Sequence, residues 1–273
     1  MFLAFPSEAR AQRSDRREVL ILGLLSALVF VALVPFAKRQ LPEIRTFIPT
    51  YQAALAVTDL VTAALLYWQF ALRRSYALLL LATAYLFAAL MAIVHVLTFP
   101  GLFAPEGLLG AGPQTTAWLY MFWHGGFPAM VVAYGLVKDR ERGMPSERLP
   151  ALAIMLSVLA VVAAVALLTL IATSTSVPAI MVGNNYTHLM VGVVTAVWAC
   201  SMAGFMVLWL RMPYSVLDMW LMLVMLAWMF DIALAAVFNA GRFDLGFYTG
   251  RIYGLVASTL VLGVLLRDSL RKA

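Results

Sequence analysis

Cysteine and charged residues are both scarce in this chain of 273 residues. The single cysteine, Cys200, lies within an apolar run, which excludes an intrachain disulfide framework and a metal motif built on paired cysteines. Charged residues make up 12% of the sequence, against roughly 25% in soluble domains, whereas 64% of the residues are hydrophobic. This composition is typical of an integral membrane protein.

Sequence motifs of catalysis and of nucleic-acid binding are also absent. The chain contains no HExxH, no GxSxG and no P-loop. Its basic residues are not interleaved with aromatic residues as a nucleic-acid surface requires, so no nucleic-acid partner is expected. We predict no catalytic module in this chain.

Long apolar runs fill most of the sequence. Each is roughly 20 residues long, which is enough for a helix to cross the hydrocarbon core of a bilayer. Helices are expected because backbone groups in lipid need internal hydrogen-bond partners, and the short alternating runs of a β-barrel do not occur. The eight runs span residues 19–37, 50–70, 76–98, 115–137, 149–172, 188–210, 216–238 and 247–266.

The predicted fold class is therefore all-α, a polytopic integral membrane helical bundle of about eight transmembrane helices. Residues 1–18 are predicted to form a basic, mobile cytoplasmic arm, and residues 19–266 the membrane domain. Residues 267–273 would begin a cytoplasmic linker helix.

The distribution of lysine and arginine predicts the orientation of the bundle. With both termini in the cytoplasm, fourteen of the nineteen basic residues lie on the cytoplasmic side, and the connection between the third and fourth helices lies outside. This orientation leaves five basic residues on the outer side: Lys38, Arg39, Arg45, Arg242 and Arg251. The adjacent Lys38 and Arg39 are the weakest point of the assignment.

Ionisable side chains within the predicted helices gather toward the outer ends, and such residues are functional candidates because they are costly in lipid. Asp59, His124 and Asp231 each lie ~12–14 Å from an outer helix end at the standard rise. This asymmetry predicts a polar pocket at or just beneath the outer face. The candidate ligand-binding residues are Asp59, His95, Gln114, Trp118, His124, His188, Asp231, Tyr248 and Arg251.

These polar residues also have structural explanations. A lone membrane histidine is often a hydrogen-bonded packing group, and Asp59 or Asp231 would be satisfied by pairing with Arg251 or with a histidine. The surroundings of His124 favour a functional role more strongly. Gly125 and Gly126 permit the close approach of another helix or a ligand, and Pro128 leaves the His124 carbonyl without its helical hydrogen bond.

A transition metal or a haem is a further alternative for the pocket. His95, His124 and His188 are the candidate metal ligands, and a histidine pair would also ligate haem. No two of them share a helix at a ligand spacing, so such a site would depend on tertiary packing. A small organic ligand, a quinone or a lipid fits the aromatic surroundings equally well.

Three stretches of the sequence resemble a known family. They are FIPTYQAALAVTDLVTAALL, ATAYLFAALMAIVHVLTFPGLF and LLGAGPQTTAWLYMFWHGGFP, and they are similar to the fourth class of bacterial membrane-associated sensor domains, of MASE type. The resemblance extends over residues 19–266. It implies a multi-pass sensor of the bacterial inner (cytoplasmic) membrane that controls a cytoplasmic histidine kinase or diguanylate cyclase. A homodimer is expected.

The leading interpretation is therefore a sensory input domain that binds a ligand in its outer half and relays the signal to a cytoplasmic module. The residues up to 273 include no output module, which predicts either the sensor part of a longer protein or a standalone protein. A membrane redox or metal protein is the first alternative. A small-molecule transporter is the second, although no internal repeat supports it.

Overall fold

Eight α-helices form a bundle in the part of the chain that the structure describes. The structure is a computed structural model that describes residues 9–138, 150–183 and 185–270, with side chains up to residue 267. The helices are α1 (Arg13–Leu33), α2 (Phe47–Arg73), α3 (Tyr76–Leu97), α4 (Thr115–Val137), α5 (Pro150–Thr173), α6 (His188–Leu210), α7 (Val216–Ile232) and α8 (Leu245–Leu270).

Seven of these helices are long and apolar enough to cross a membrane, by length and composition alone. The remaining one, α4, has 23 residues and packs against α3, α5 and α6. Its lower hydropathy follows from the His124 region, where glycine, proline and histidine interrupt the apolar run. The predicted fold class, an all-α integral membrane bundle, is confirmed.

The first helix begins earlier than expected, because residues 13–18, which were predicted to belong to the basic arm, are already helical. Helix α1 starts at Arg13 rather than near residue 19, and Asp15 accepts a hydrogen bond from the backbone N–H of Gln12 at 2.8 Å. Ala11 is buried, and its N–H donates to the carbonyl of Tyr214. Residues 1–8, Arg142 and residues 271–273 lie outside the described residues.

The seventh helix also ends differently from the expected run up to residue 238. A π-helical turn, Ala233–Val237, follows α7, and the N–H of Phe238 bonds to the carbonyl of Ala233 at 2.8 Å. Such turns widen a helix locally and leave carbonyls free for other partners. Here the carbonyl of Ala235 accepts a 2.8 Å hydrogen bond from the hydroxyl of Tyr186.

The bundle has an interior and a periphery. Helices α2, α3, α7 and α8 contribute much of the buried surface, with α2 packed on α3 and α8, and α7 packed on α8. In the most apolar stretch of α7 and its π-helical turn, 78% of the residues are buried. In the most apolar stretches of α1 and α5, only 6% and 11% of the residues are buried. The exposed aliphatic faces of α1 and α5 are those expected of helices that contact lipid.

One end of the bundle, hereafter the hairpin end, carries a two-stranded antiparallel hairpin. Its strands are β1 (Met181–Val182) and β2 (Asn185–Tyr186). The C-terminus of α3 and the N-termini of α4, α6 and α8 lie at this end, which the charge distribution predicts to be the outer one. The connection from α3 to α4 folds back on itself, because the N–H of Leu108 donates to the carbonyl of Leu97 at 2.9 Å.

Candidate functional site

A small cavity lies at the hairpin end, between the ends of α3, α4, α6 and α8 and the π-helical turn. Its volume is about 40 Å³. One water molecule needs roughly 10–15 Å³ by the same kind of measure, so the cavity has room for a few small atoms. Its walls are largely apolar, and its polar lining residues are His95, Thr116, Tyr120, Tyr186, Arg242 and Arg251.

Two arginines dominate the charge of the cavity. Arg251 is only 7% exposed and donates through Nη1 to the carbonyl of Phe247 at 2.8 Å. Its Cζ atom lies 3.5 Å from the centroid of the Phe247 ring, a close cation–π contact. Arg242 donates through Nη2 to the hydroxyl of Thr116 at 3.0 Å. Burial, and next the charge of Arg251, lower the pKa of Arg242.

The remaining polar walls are held by hydrogen bonds to neighbouring elements. The Gln52 amide donates to Nδ1 of the buried His95 at 2.6 Å, so a neutral His95 ring carries its proton on Nε2. The Tyr186 hydroxyl accepts from the Asn239 amide at 2.9 Å, and burial raises the pKa of this tyrosine.

His124 and Asp231 meet in the core beneath the cavity. Nε2 of His124 lies 3.1 Å from Oδ2 of Asp231, and its Nδ1 lies 2.8 Å from the carbonyl of Tyr120. The Tyr120 hydroxyl donates to Oδ1 of the same aspartate at 3.1 Å. Gly254 allows α8 to pass close by, since a Cβ atom there would lie 2.8 Å from Asp231 Oδ2. Tyr120 therefore connects this pair to the cavity.

Asp59 does not join that network. Its side chain is 1% exposed, and its Oδ2 atom has no hydrogen-bond partner among the described residues. The expected pairing is confirmed for Asp231, which contacts a histidine, and is wrong for Asp59, because its position on α2 brings it to neither Arg251 nor a histidine. All three predicted acids and bases, Asp59, His124 and Asp231, are nevertheless buried.

The carbonyl released by Pro128 has a new partner. The indole Nε1 of Trp228 donates to the backbone carbonyl of His124 at 3.3 Å. This contact confirms that the proline frees a polar group for use across the helix interface. It also fixes α4 against α7 at the level of the His124–Asp231 pair.

Three other candidate residues shape the hairpin end without lining the cavity. Gln114 accepts hydrogen bonds from two backbone N–H groups of the hairpin segment, at 2.8 and 3.0 Å. Trp118 donates to the backbone carbonyl at position 178. Tyr248 donates to the carbonyl at position 42 and thereby holds the connection between α1 and α2. Ligand binding by these residues stays a prediction.

The metal alternative is wrong for the proposed histidine triplet. His188 is exposed at the start of α6, whereas His95 and His124 are buried. No group of three or more histidine, cysteine or acidic side chains in the described ranges is arranged to hold a metal ion. Both nitrogens of His124 already face hydrogen-bond acceptors, which removes this ring from a haem-ligating pair.

Sequence reasoning missed Arg242, Tyr186 and Gln52 as parts of the site. Gln52 carried no signal, because a glutamine in a helix is ordinary, and Tyr186 lies in a polar stretch whose sequence favours a solvated loop over a pocket wall. Arg242 did carry one. Lysine and arginine are usually in excess on the cytoplasmic side of a membrane protein, and Arg242 is one of the few basic residues assigned to the outer side. Arg251 is another.

The fold and the site together define a polytopic α-helical membrane protein with a small cationic cavity at one end of its bundle. Residues 42–272 match MASE4, a family described as a membrane-associated sensor, integral membrane domain. The match covers most of the chain, which therefore belongs to this family and has a sensory input role. No curated protein and no solved structure matches the chain.

Proposed function

We propose that this domain binds a small molecule in the hairpin-end cavity and that α8 transmits the bound state to a cytoplasmic signalling module. The cavity would face the outside of the bacterial inner membrane, and the working unit would be a homodimer. A histidine kinase or a diguanylate cyclase is the output module that we favour. Family membership supports the sensory role over the transporter and redox alternatives.

A single observation supports the relay. Helix α8 contributes Phe247 and Arg251 to the cavity and continues to Leu270 at the opposite end of the bundle. Leu270 lies nineteen positions after Arg251, which corresponds to about 29 Å at 1.5 Å per residue. A ligand that contacts Arg251 therefore acts directly on the helix that leads to the other side.

The relay requires two arrangements of α8 that differ in ligand affinity, because a ligand shifts an equilibrium only by its differential binding. The neighbours of α8 at the cavity suit this requirement. The π-helical turn packs against α8, and its Ala235 and Ala236 line the cavity. A ligand in the cavity would therefore contact both α8 and the π-helical turn that packs against it.

Distance measurements between spin labels test the relay without a known ligand. In a Cys200→Ser background, labels at Leu210→Cys and Arg267→Cys report on the ends of α6 and α8 opposite the cavity; both positions are exposed. The cavity is then filled by Ala236→Phe or by the smaller Ala236→Leu. We expect both variants to shift the distance distribution of the protein in lipid nanodiscs.

The matched control is Ala160→Phe, an equal gain in side-chain volume at an exposed position of α5. This control should leave the distances unchanged. Distributions that are identical in the parent and in both cavity-filling variants would contradict a relay through α8.

A further inference from the structure

The two arginines of the cavity lack an anionic partner within the described protein. No carboxylate of the described ranges lies within 4.0 Å of either guanidinium. Each guanidinium carries five N–H donors, yet Arg251 makes one hydrogen bond and so does Arg242. Buried charges in proteins are normally paired, because burial without a counter-charge is costly.

The acidic residues on the adjoining elements are already engaged. Asp231 is bonded by Tyr120 and His124. Asp244, at the start of α8, accepts three hydrogen bonds from the backbone N–H groups of residues 240, 241 and 247. Both carboxylates are fully buried, and neither lies within 4.0 Å of either guanidinium group. The positive charge of the cavity is therefore left for an external anion.

Aromatic rings fix the directions of both guanidinium groups. Arg251 lies over Phe247 and, at 5.4 Å, over the ring of Tyr120. Arg242 lies 5.4 Å from the ring centroid of Phe99. A guanidinium held in this way presents a rigid, planar fork of donors, which matches the two oxygens of a carboxylate. The apolar remainder of the lining strengthens any charged contact made there.

We propose that this cavity binds a small carboxylate anion, whose oxygens accept hydrogen bonds from Arg251 and Arg242. This inference rests on the proposed sensory function and names the chemical class of its ligand. The volume of about 40 Å³ admits a carboxylate with a short carbon chain. A neutral quinone would leave both positive charges unpaired, and a lipid headgroup is larger than the space.

Direct binding of radiolabelled acetate to the purified protein, in nanodiscs of neutral phosphatidylcholine, tests this proposal. Ionic strength is held constant with sodium chloride. We expect saturable binding to one site per chain and a matching rise in the unfolding temperature. Unlabelled formate should displace acetate, whereas hexanoate should not, because of its length.

Two variants and one control locate the site. Arg251→Gln and Arg242→Gln should each weaken acetate binding at least tenfold. Arg45→Gln removes an exposed arginine from the same end of the bundle and should leave binding unchanged. If the cavity variants do not fold, the displacement pattern of the unaltered protein decides the question, because a small site discriminates acids by length.

Several results would overturn the proposal. These are the absence of saturable acetate binding, equal displacement by formate and hexanoate, and undiminished binding by both folded arginine variants. Saturable binding of inorganic phosphate, or of phosphatidylglycerol supplied in nanodiscs, without acetate binding would assign the site to a phosphate group instead. Acetate binding without any change in the α6–α8 label distance would support the carboxylate site and contradict the relay, so the two proposals fail separately.

Discussion

His124 and Asp231 contact each other across the interface between α4 and α7, with 3.1 Å between Nε2 and Oδ2. Both side chains are at most 1% exposed. The aspartate also accepts the hydroxyl hydrogen of Tyr120, which lines the cavity. This buried group of three therefore joins the packing of the core to the wall of the candidate site.

The first prediction concerns that group. Asp231→Ala should destabilise the protein by about 1–3 kcal/mol for each donor that it leaves unpaired in the core, Tyr120 and His124. Asp231→Asn keeps an acceptor oxygen in nearly the same volume and should be milder. Thermal unfolding in detergent measures both. Equal stability of the two variants would show that the hydrogen bonds contribute little.

The second prediction concerns the packing of α4 against α3. A Cβ atom at Gly126 would lie 2.6 Å from the ring of Phe87, whereas one at Gly125 would lie 3.5 Å from Val197. Gly126→Ala should therefore overpack the interface and cost about 1–3 kcal/mol. Gly125→Ala is the matched control and should be close to neutral.

Unfolding measurements on both glycine variants decide this prediction. A second change, Phe87→Leu, should restore part of the stability lost in Gly126→Ala because it removes the contacting ring. If Gly126→Ala is as stable as Gly125→Ala, the close approach of α3 and α4 at this level is not required.

The third prediction concerns the end of the bundle opposite the hairpin. Nζ of Lys138 lies 2.7 Å from Oδ2 of Asp218, and both side chains are buried. Lys138→Ala should cost about 3–5 kcal/mol, because it leaves a carboxylate buried without its counter-charge. Arg45→Ala breaks an exposed pair with Glu43 and should cost at most ~1 kcal/mol. Similar small losses in the two variants would argue against a buried ion pair.

The fourth prediction concerns orientation in the membrane. In a Cys200→Ser background, Glu106→Cys should react with a membrane-impermeant thiol reagent in intact spheroplasts, because its connection is predicted to lie outside. Arg142→Cys should react only after the cells are opened. The reverse pattern would invert the topology and turn the cavity toward the cytoplasm.

Much of the fold follows from residue patterns. The apolar runs located all eight helices, and most boundaries agree within a few residues with the structure. The start of α1 was missed because the prediction followed apolar runs, and Arg13, Arg16 and Arg17 are charged. A helix can extend beyond the hydrocarbon, where charged residues are tolerated. The π-helical turn after α7 was also missed, because its sequence, ALAAV, is a good α-helix sequence.

The candidate site was only partly foreseen. Sequence order predicted that Asp231 and His124 lie at similar depth, and depth along a helix is fixed by the rise per residue. It did not predict that Asp59 stands apart from them or that His188 is exposed, since these depend on the rotation of each helix about its axis. Nearly uniform apolar surroundings leave that rotation undetermined.

The sequence by itself determined that this chain is a membrane-embedded helical bundle, because only helices satisfy the backbone in lipid over runs of this length. It also determined which family the chain resembles. Tertiary structure alone decided which polar groups meet. It paired His124 with Asp231, brought Arg242 from a loop and Arg251 from α8 into one cavity, and left both arginines without a carboxylate in the described protein. Such partnerships join residues more than a hundred positions apart in some cases, as for His124 and Asp231, and depend on how the helices turn against each other.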